Sequence, residues 1–356
     1  MVEMDNLHYD WRRLDGFNKD INIAISCREP GKSSMFMMQK TYRLFKKFGA
    51  PYLYLVRNVV EITEAMIETW SEVIINKFTD DNVKLEYNKG EFKEGIVDVK
   101  IKGKIFIRIL AMNIPLRRIK QTLLKNVAGI FLDEFIINPR KNEKYLKDEA
   151  RTFAEIYSTY KRERLGEKPL KVYMAGNPYS LYNPYFMWLG VDVKKLKLGE
   201  FYVGDNFVID YYKMKEELKE KLLKENPLLE FDEEFKDYAL YGKAILDKDI
   251  KLGQLPQNYS LKFVIRCEGK YVGIFKNQYW QDGADRYFCK YVDMALLDRN
   301  REAFCFEFGD LMNRCVLISK SERTLFSHFK TAFNRRNVVF SDISVYYITE
   351  QIYNYI

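Results

Sequence analysis

The chain has 356 residues, 47% hydrophobic and 15% aromatic, with a formal net charge of +8. This composition excludes a disordered chain, and the length suffices for two domains rather than one small core. No apolar run is long enough to cross a bilayer, and the start, with Glu3, Asp5 and Asp10, lacks a signal-peptide pattern.

The first expected element is a β-branched strand over 21–26, followed by a tight turn and a helix over 32–48. The turn reads Ser26-Cys27-Arg28-Glu29-Pro30-Gly31-Lys32-Ser33-Ser34. Strand, loop and helix with Gly31-Lys32-Ser33 make a phosphate-binding unit, in which backbone N–H groups at the helix start wrap phosphates. Lys32 is suited to the β- and γ-phosphates of ATP, and Ser33 to Mg²⁺. Two positions depart from the usual pattern. Ser26 stands where a first glycine is common, and Pro30 lacks a backbone donor, so one phosphate contact must come from elsewhere, with Arg28 at hand.

A strand follows at 52–57, then a helix over 61–78 with Ile62, Met66, Trp70 and Ile74 on one face, and a hairpin-rich insertion over 84–111. The strand at 127–132 ends in two adjacent carboxylates, Asp133 and Glu134. Acids at the carboxyl end of a buried strand sit where open α/β sheets bind ligands. Asp133 is suited to orient Mg²⁺, and Glu134 to polarise the attacking water as general base. After a helix over 146–164, a strand at 170–175 ends in Gly176-Asn177-Pro178. Asn177 either senses a γ-phosphate and its water or belongs to a plain turn. Alternating strands and helices indicate a mostly parallel sheet covered by helices, assigned to residues 1–210.

Residues 213–225 are charge-dense with opposite charges at (i, i+4) spacing, and Asn226-Pro227 ends the helix. The span 211–257 therefore reads as a helical linker or as a surface helix of the first domain. From 258 to 356 the pattern is β-rich: 261–267 and 271–275 flank Glu268-Gly269-Lys270 as a hairpin, 287–291 and 316–319 suit strands, and 323–334 and 343–355 suit helices. Cys27, Cys267, Cys289, Cys305 and Cys315 show no metal-ligand spacing, and with only His8 and His328 a zinc site is not expected. Reduced thiols in a cytoplasm are the simplest reading.

Phosphate loop, Asp133-Glu134 and Asn177 occur in one order. A glutamate directly after the metal-site aspartate resembles the additional-strand, catalytic-glutamate class of P-loop NTPases. Residues 27–33, 54–57, 131–136, 160–164 and 183–186 together resemble the DNA-packaging (encapsidation) ATPases of small short-tailed bacteriophages, relatives of large-terminase motors. The likeness is strongest over residues 15–190. It implies a homomeric ring, pentameric, at the portal (connector) vertex of an empty capsid in the host cytoplasm, driving double-stranded DNA inward by ATP hydrolysis. A structural RNA is a further partner open to such a motor, and no membrane is involved. In such rings the neighbouring subunit completes each active site with basic residues. Lys120 matches the position of a trans-acting lysine. Tyr160-Lys-Arg-Glu-Arg164 matches the arginine-finger segment, with Arg162 preferred over Lys161 and Arg164.

Any-sequence DNA binding calls for lysine and arginine on phosphates. Lys100, Lys102 and Lys104 in the insertion either face a ring channel or guard a sheet edge. Lys330, Arg335 and Arg336, with Arg314, Lys320 and Arg323, form a basic span in the second domain that could hold DNA, a portal surface or RNA. That domain takes the place of the terminase nuclease, but strand 261–267 carries no acid. Asp293, Glu307, Asp310 and Asp342 form no recognisable set, so a vestigial, RNase H-like nuclease fold without cleavage is expected. Other readings are a helicase-like P-loop motor and a non-catalytic DNA- or portal-binding protein. Tyr9, Trp11 or Arg57 could flank the adenine base, or each could simply pack.

Overall fold

The structure is a computed structural model and describes residues 7–138, 143–162, 169–231, 233–244, 250–279, 286–298 and 301–356. The chain divides into two compact units, Met1–Ile245 and Leu246–Ile356.

The first unit is built on β1 (Ile21–Ile25), β2 (Tyr52–Val56), β3 (Ile96–Ile101), β4 (Lys104–Ala111), β5 (Gly129–Leu132), β6 (Lys171–Gly176), β7 (Phe201–Val203) and β8 (Phe207–Tyr211). They form one eight-stranded sheet in the order β3-β4-β2-β5-β6-β1-β8-β7. The six inner strands run parallel, and β3 and β7 are antiparallel edges. The register aligns Ile25 with Gly176, Leu55 with Leu132, and Leu132 with Met174, so the carboxyl ends of β1, β2, β5 and β6 meet along one rim. β2 and β5 are buried throughout, as parallel strands covered on both faces must be.

Helix α1 covers residues 32–48: it is α-helical at Lys32–Phe36 and Arg43–Phe48 and π-helical over Met37–Tyr42, and it ends at Gly49, whose φ is 64°. Helix α2 covers 64–78. It begins later than the hydrophobic period suggests, because Thr63 caps it and a separate turn, Val59–Glu61, closes on Asn58. Helices α3 (Leu116–Gln121), α4 (Glu149–Arg162), α5 (Pro184–Leu189), α6 (Glu216–Glu225) and α7 (Glu233–Tyr241) complete the unit. An aromatic cluster fills the core, with Phe36 stacked on Phe131 at 3.9 Å and Trp11 edge-on to Phe36, Phe131 and Tyr173.

Two expectations change. The 84–111 segment is less an insertion than part of the sheet: β3 and β4 do form a hairpin, but β4 is an inner strand paired with β2, buried from Phe106 to Ala111. The span 211–257 does not begin as a free linker. β8 runs to Tyr211, whose hydroxyl donates to the Gly242 carbonyl at 2.6 Å, and Met214 and Leu218 pack on Cys27. The alternate reading of 213–225, a surface helix of the first unit, is the one observed.

The second unit carries β9 (Tyr259–Cys267), β10 (Lys270–Asn277), β11 (Tyr287–Tyr291), β12 (Ala303–Cys305), β13 (Cys315–Leu317) and β14 (Val338–Phe340) in the order β13-β12-β9-β10-β11-β14. β9, β10 and β11 form an antiparallel meander, and the remaining pairs are parallel. Helices α8 (Ser327–Asn334) and α9 (Ile343–Tyr355) supply Phe329, Ala332, Val345, Ile348 and Ile352 to the core. Among the described residues no helix is long and apolar enough to cross a membrane.

Candidate nucleotide site

The turn between β1 and α1 owes its shape to two left-handed residues, Glu29 and Gly31, each with φ of 72°. Only glycine suits the second position. A Cβ on Gly31 would come within 3.0 Å of His8, and its φ already disfavours a side chain. A strap of residues 8–13 braces the turn from behind. The Tyr9 amide donates to the Pro30 carbonyl at 2.8 Å, and the Trp11 indole N–H donates to the Lys32 carbonyl at 2.8 Å. The strap is itself pinned to β8, where Asp210 accepts from the Tyr9 hydroxyl at 3.1 Å and pairs with Arg13 at 2.8 Å.

Lys32 is buried. Its Nζ donates to Ser26 Oγ (2.7 Å), the Cys27 carbonyl (3.0 Å), Asn177 Oδ1 (3.1 Å) and the Ser26 carbonyl (3.2 Å). The serine in place of a first glycine is thus a partner of the lysine. Burial lowers the Lys32 pKa to about 8, opposed by the negative groups around it. Burial in turn raises the Cys27 thiol to about 11, and the thiol packs against Met214 and Leu218.

Ser33 Oγ donates to Asp133 Oδ1 at 2.8 Å, so the loop and the twin acids meet directly. Asp133 also accepts from the Tyr54 hydroxyl at 2.9 Å and from the Glu134 amide at 3.0 Å. Burial raises the Asp133 carboxyl above its ordinary value, and these donors work against the rise. Glu134 lies on the exposed rim with φ of 49°, a left-handed conformation that costs a non-glycine residue about 1–2 kcal/mol. Its carboxyl is raised by desolvation and then by the charge of Asp133 beside it.

Arg57, at the end of β2, holds that strained turn. Its guanidinium donates to the carbonyls of Glu134 and Phe135 at 3.3 Å each and pairs with the buried Glu149 at 2.8 Å. Glu149 opens α4 and also accepts from the Tyr185 hydroxyl (2.8 Å) and the Leu146 amide (2.7 Å). Burial disfavours the arginine charge, and Glu149 more than offsets it.

A cleft of about 250 Å³ is lined by Arg28, Glu29, Gly31, Lys32, Ser33, Ser34, Asp133, Glu134, Gly176 and Asn177. A second, of about 440 Å³, shares Asp133 and Glu134 and extends past Tyr54, Arg57, Glu61 and Glu143. Residues far apart in sequence are therefore brought to one place. Ser26, Cys27 and Pro30 shape the loop from behind and do not line the cleft. Tyr9 and Trp11 are fully buried packing residues, which removes them as flankers of a base, and Arg57 is engaged with Glu149.

Lys120 and Arg162 are exposed and line neither cleft. Their helices, α3 and α4, are neighbours. Arg164 lies outside the described residues. Lys102 and Gly103, both left-handed, form the tip of the β3–β4 hairpin, with Lys102 and Lys104 exposed. Lys100 sits on the edge strand, where its backbone bridges to Glu86 at 2.8 and 2.9 Å. In the second unit Arg335 and Arg336 are exposed, but Lys330 bonds the Ile356 carbonyl, and Arg314 donates to the Met294 and Arg301 carbonyls at 2.9 Å. The basic span is therefore partly structural. Its acids are engaged as well. Asp293 and Asp342 cap helical turns, Asp310 accepts from the Gly269 amide at 3.0 Å, and Glu307 accepts from Tyr355 at 2.7 Å. Among the described residues no group of three or more His, Cys, Asp or Glu comes together to hold a metal ion.

Sequence reasoning missed Tyr54, Glu149 and the strap. The only available signal was the period-2 position of Tyr54, which points it to the face where Asp133 emerges.

No curated protein sequence matches the chain. Two solved structures share the fold along nearly its whole length. The bacteriophage Phi-29 viral genome packaging motor assembly matches at 18% identity and a TM-score of 0.64, covering 98% of this chain and 99% of its own. The Phi-28 gp11 DNA packaging motor matches at 17% identity and a TM-score of 0.59, covering 95% of each. The model of the podovirus DNA encapsidation protein (Gp16) matches residues 4–355. With the Gly31-Lys32-Ser33 turn, the Asp133-Glu134 pair and a mostly parallel sheet in the same chain, this protein belongs to the podovirus DNA encapsidation protein (Gp16) family.

Proposed function

We propose that this chain is an ATP-driven motor subunit that moves double-stranded viral DNA into a preformed capsid. The carrying observation is the convergence of Lys32, Ser33, Asp133, Glu134 and Asn177 on one cleft at the carboxyl edge of the sheet. Ser33 Oγ and Asp133 Oδ1, 2.8 Å apart at the cleft wall, are hard oxygen donors of the kind Mg²⁺ takes alongside phosphate oxygens. Bound there, such an ion would neutralise charge on the phosphates.

Lys32 leaves Ser26 and Asn177 for the phosphate oxygens. Arg28, exposed at the cleft rim, supplies the contact that Pro30 cannot. Glu134, with its raised carboxyl, takes the proton of the attacking water, and Asn177 orients that water or the γ-phosphate. Lys120 and Arg162 act in trans on the next subunit of a homomeric ring, a pentamer, because neither reaches its own cleft and both lie on adjacent exposed helices. Lys100, Lys102, Lys104, Arg335 and Arg336 contact DNA phosphates, while Lys330 contributes mainly to packing. The ring works in the host cytoplasm on the portal of the procapsid, with or without a structural RNA. The second unit does not cut DNA: among the described residues β9 carries no acid, Asp293, Asp310 and Asp342 serve caps and turns, and Glu307 accepts from Tyr355.

Turnover of ATP, measured with and without DNA and empty capsids, tests this reading. Lys32→Ala and Glu134→Gln are each expected to lower turnover at least about 100-fold, with Glu134→Gln still binding ATP. In the same assay plasmid DNA with Mn²⁺ stays intact. Normal hydrolysis by Glu134→Gln removes the assigned base, and nicking that survives purification removes the non-cutting second unit.

A further inference from the structure

Asp133 is held through both oxygens. Oδ1 faces Ser33, whereas Oδ2 accepts from Tyr54. Tyr54 lies opposite Phe131 across the β2–β5 pair, and Asp133 follows Phe131 by two residues. The two side chains therefore emerge on one face, and the phenol reaches the carboxylate at 2.9 Å. The tyrosine ring is only 8% exposed, and it packs on Trp70 at 4.9 Å and on Phe131 at 5.4 Å. A ring fixed in this way gives its hydroxyl one place to point.

We propose that Tyr54 is a positioning residue for the metal site: its hydroxyl anchors the far oxygen of Asp133 and keeps the near oxygen aimed at Ser33 and the phosphate cleft. The inference rests on the reading of Ser33 and Asp133 as the magnesium-binding pair. The bond between those two must open when either turns to a cation. Among the described residues Asp133 then keeps the Glu134 amide and Tyr54. The terminal torsion of an aspartate is broad, so without the phenol one amide bond, on the near oxygen, is left to oppose its rotation. Loss of an outer-sphere hydrogen bond to a metal ligand typically costs 10–100-fold in metal affinity.

The test uses the full chain, a fluorescent ATP analogue, and titrations in EDTA and across Mg²⁺ concentrations. Tyr54→Phe keeps the ring and is expected to bind the analogue in EDTA within about twofold of wild type, while its Mg²⁺ midpoint rises roughly tenfold. In an Asp133→Asn background the same change adds no further shift. Trp70→Phe disturbs the ring's packing but not its hydroxyl, and is expected to lower the melting temperature without moving the midpoint. An unshifted midpoint in Tyr54→Phe overturns the proposal, whatever the melting temperature does. Should that variant be insoluble, Tyr54→Leu also removes the phenol and offers no donor in its place, and an unshifted midpoint there is equally fatal. A wild-type chain whose nucleotide binding ignores Mg²⁺ refutes the underlying assignment of the metal pair instead.

Discussion

Lys32 has a depressed pKa with consequences of opposite sign for binding and for stability. Burial brings it from 10.5 to about 8. A triphosphate binds the charged ammonium, so nucleotide affinity is expected to fall as pH rises through about 8, approaching tenfold per unit above it. Over the same window the unfolded chain, with an ordinary lysine, binds more protons than the folded one. The contribution of this group to stability therefore rises between pH 8 and 10.5. Analogue titrations and melting curves from pH 7 to 9.5 check both signs, and a flat affinity profile means the ammonium is well solvated. At this scale the sequence was informative where chemistry restricts residue choice. Gly31, Lys32, Ser33, Asp133 and Glu134 stood out as a set in the sequence, and the fold brings all five to one cleft. Tyr54 and Glu149 were invisible because a tyrosine in a strand and a glutamate at a helix start have many ordinary uses.

The strands and helices were legible where period and caps agreed. Strands 52–57 and 127–132 and helix 343–355 lie close to where the pattern puts them. β8 was missed because Asp210 interrupts its apolar run, a buried acid partnered by Tyr9 and Arg13 about 200 residues away. The π-helical stretches in α1 and α2 leave no mark on the pattern. Joining elements brings its own prediction. Arg57 at the end of β2 and Glu149 at the start of α4 form a buried pair that also braces the Glu134 turn. Glu149→Ala leaves the guanidinium unpaired and is expected to destabilise the fold by about 3–5 kcal/mol. Urea denaturation measures it, and a loss under about 1 kcal/mol would show the pair to be dispensable.

At the scale of the molecule, the first unit ends at Ile245 rather than at the 210 read from the change in sequence texture. Composition changes at residue 211 because the following helices are charged outside, yet Met214 and Leu218 face inward onto Cys27. A fragment of residues 1–245 is expected to melt cooperatively and bind nucleotide. One ending at 210 uncovers that contact and loses the Tyr211–Gly242 bond, and is expected to be insoluble or to melt at least about 10 °C lower. Equal melting of the two fragments by circular dichroism would return the boundary to 210.

The strap of residues 8–13 has a practical consequence for anyone labelling this protein. A dye or crosslinker attached within the strap sits beside Tyr9, whose amide is tied to Pro30 in the turn that borders the proposed nucleotide cleft. Its bulk or charge shifts that turn, and a change in ligand affinity caused by the label is then misread as a trait of the protein.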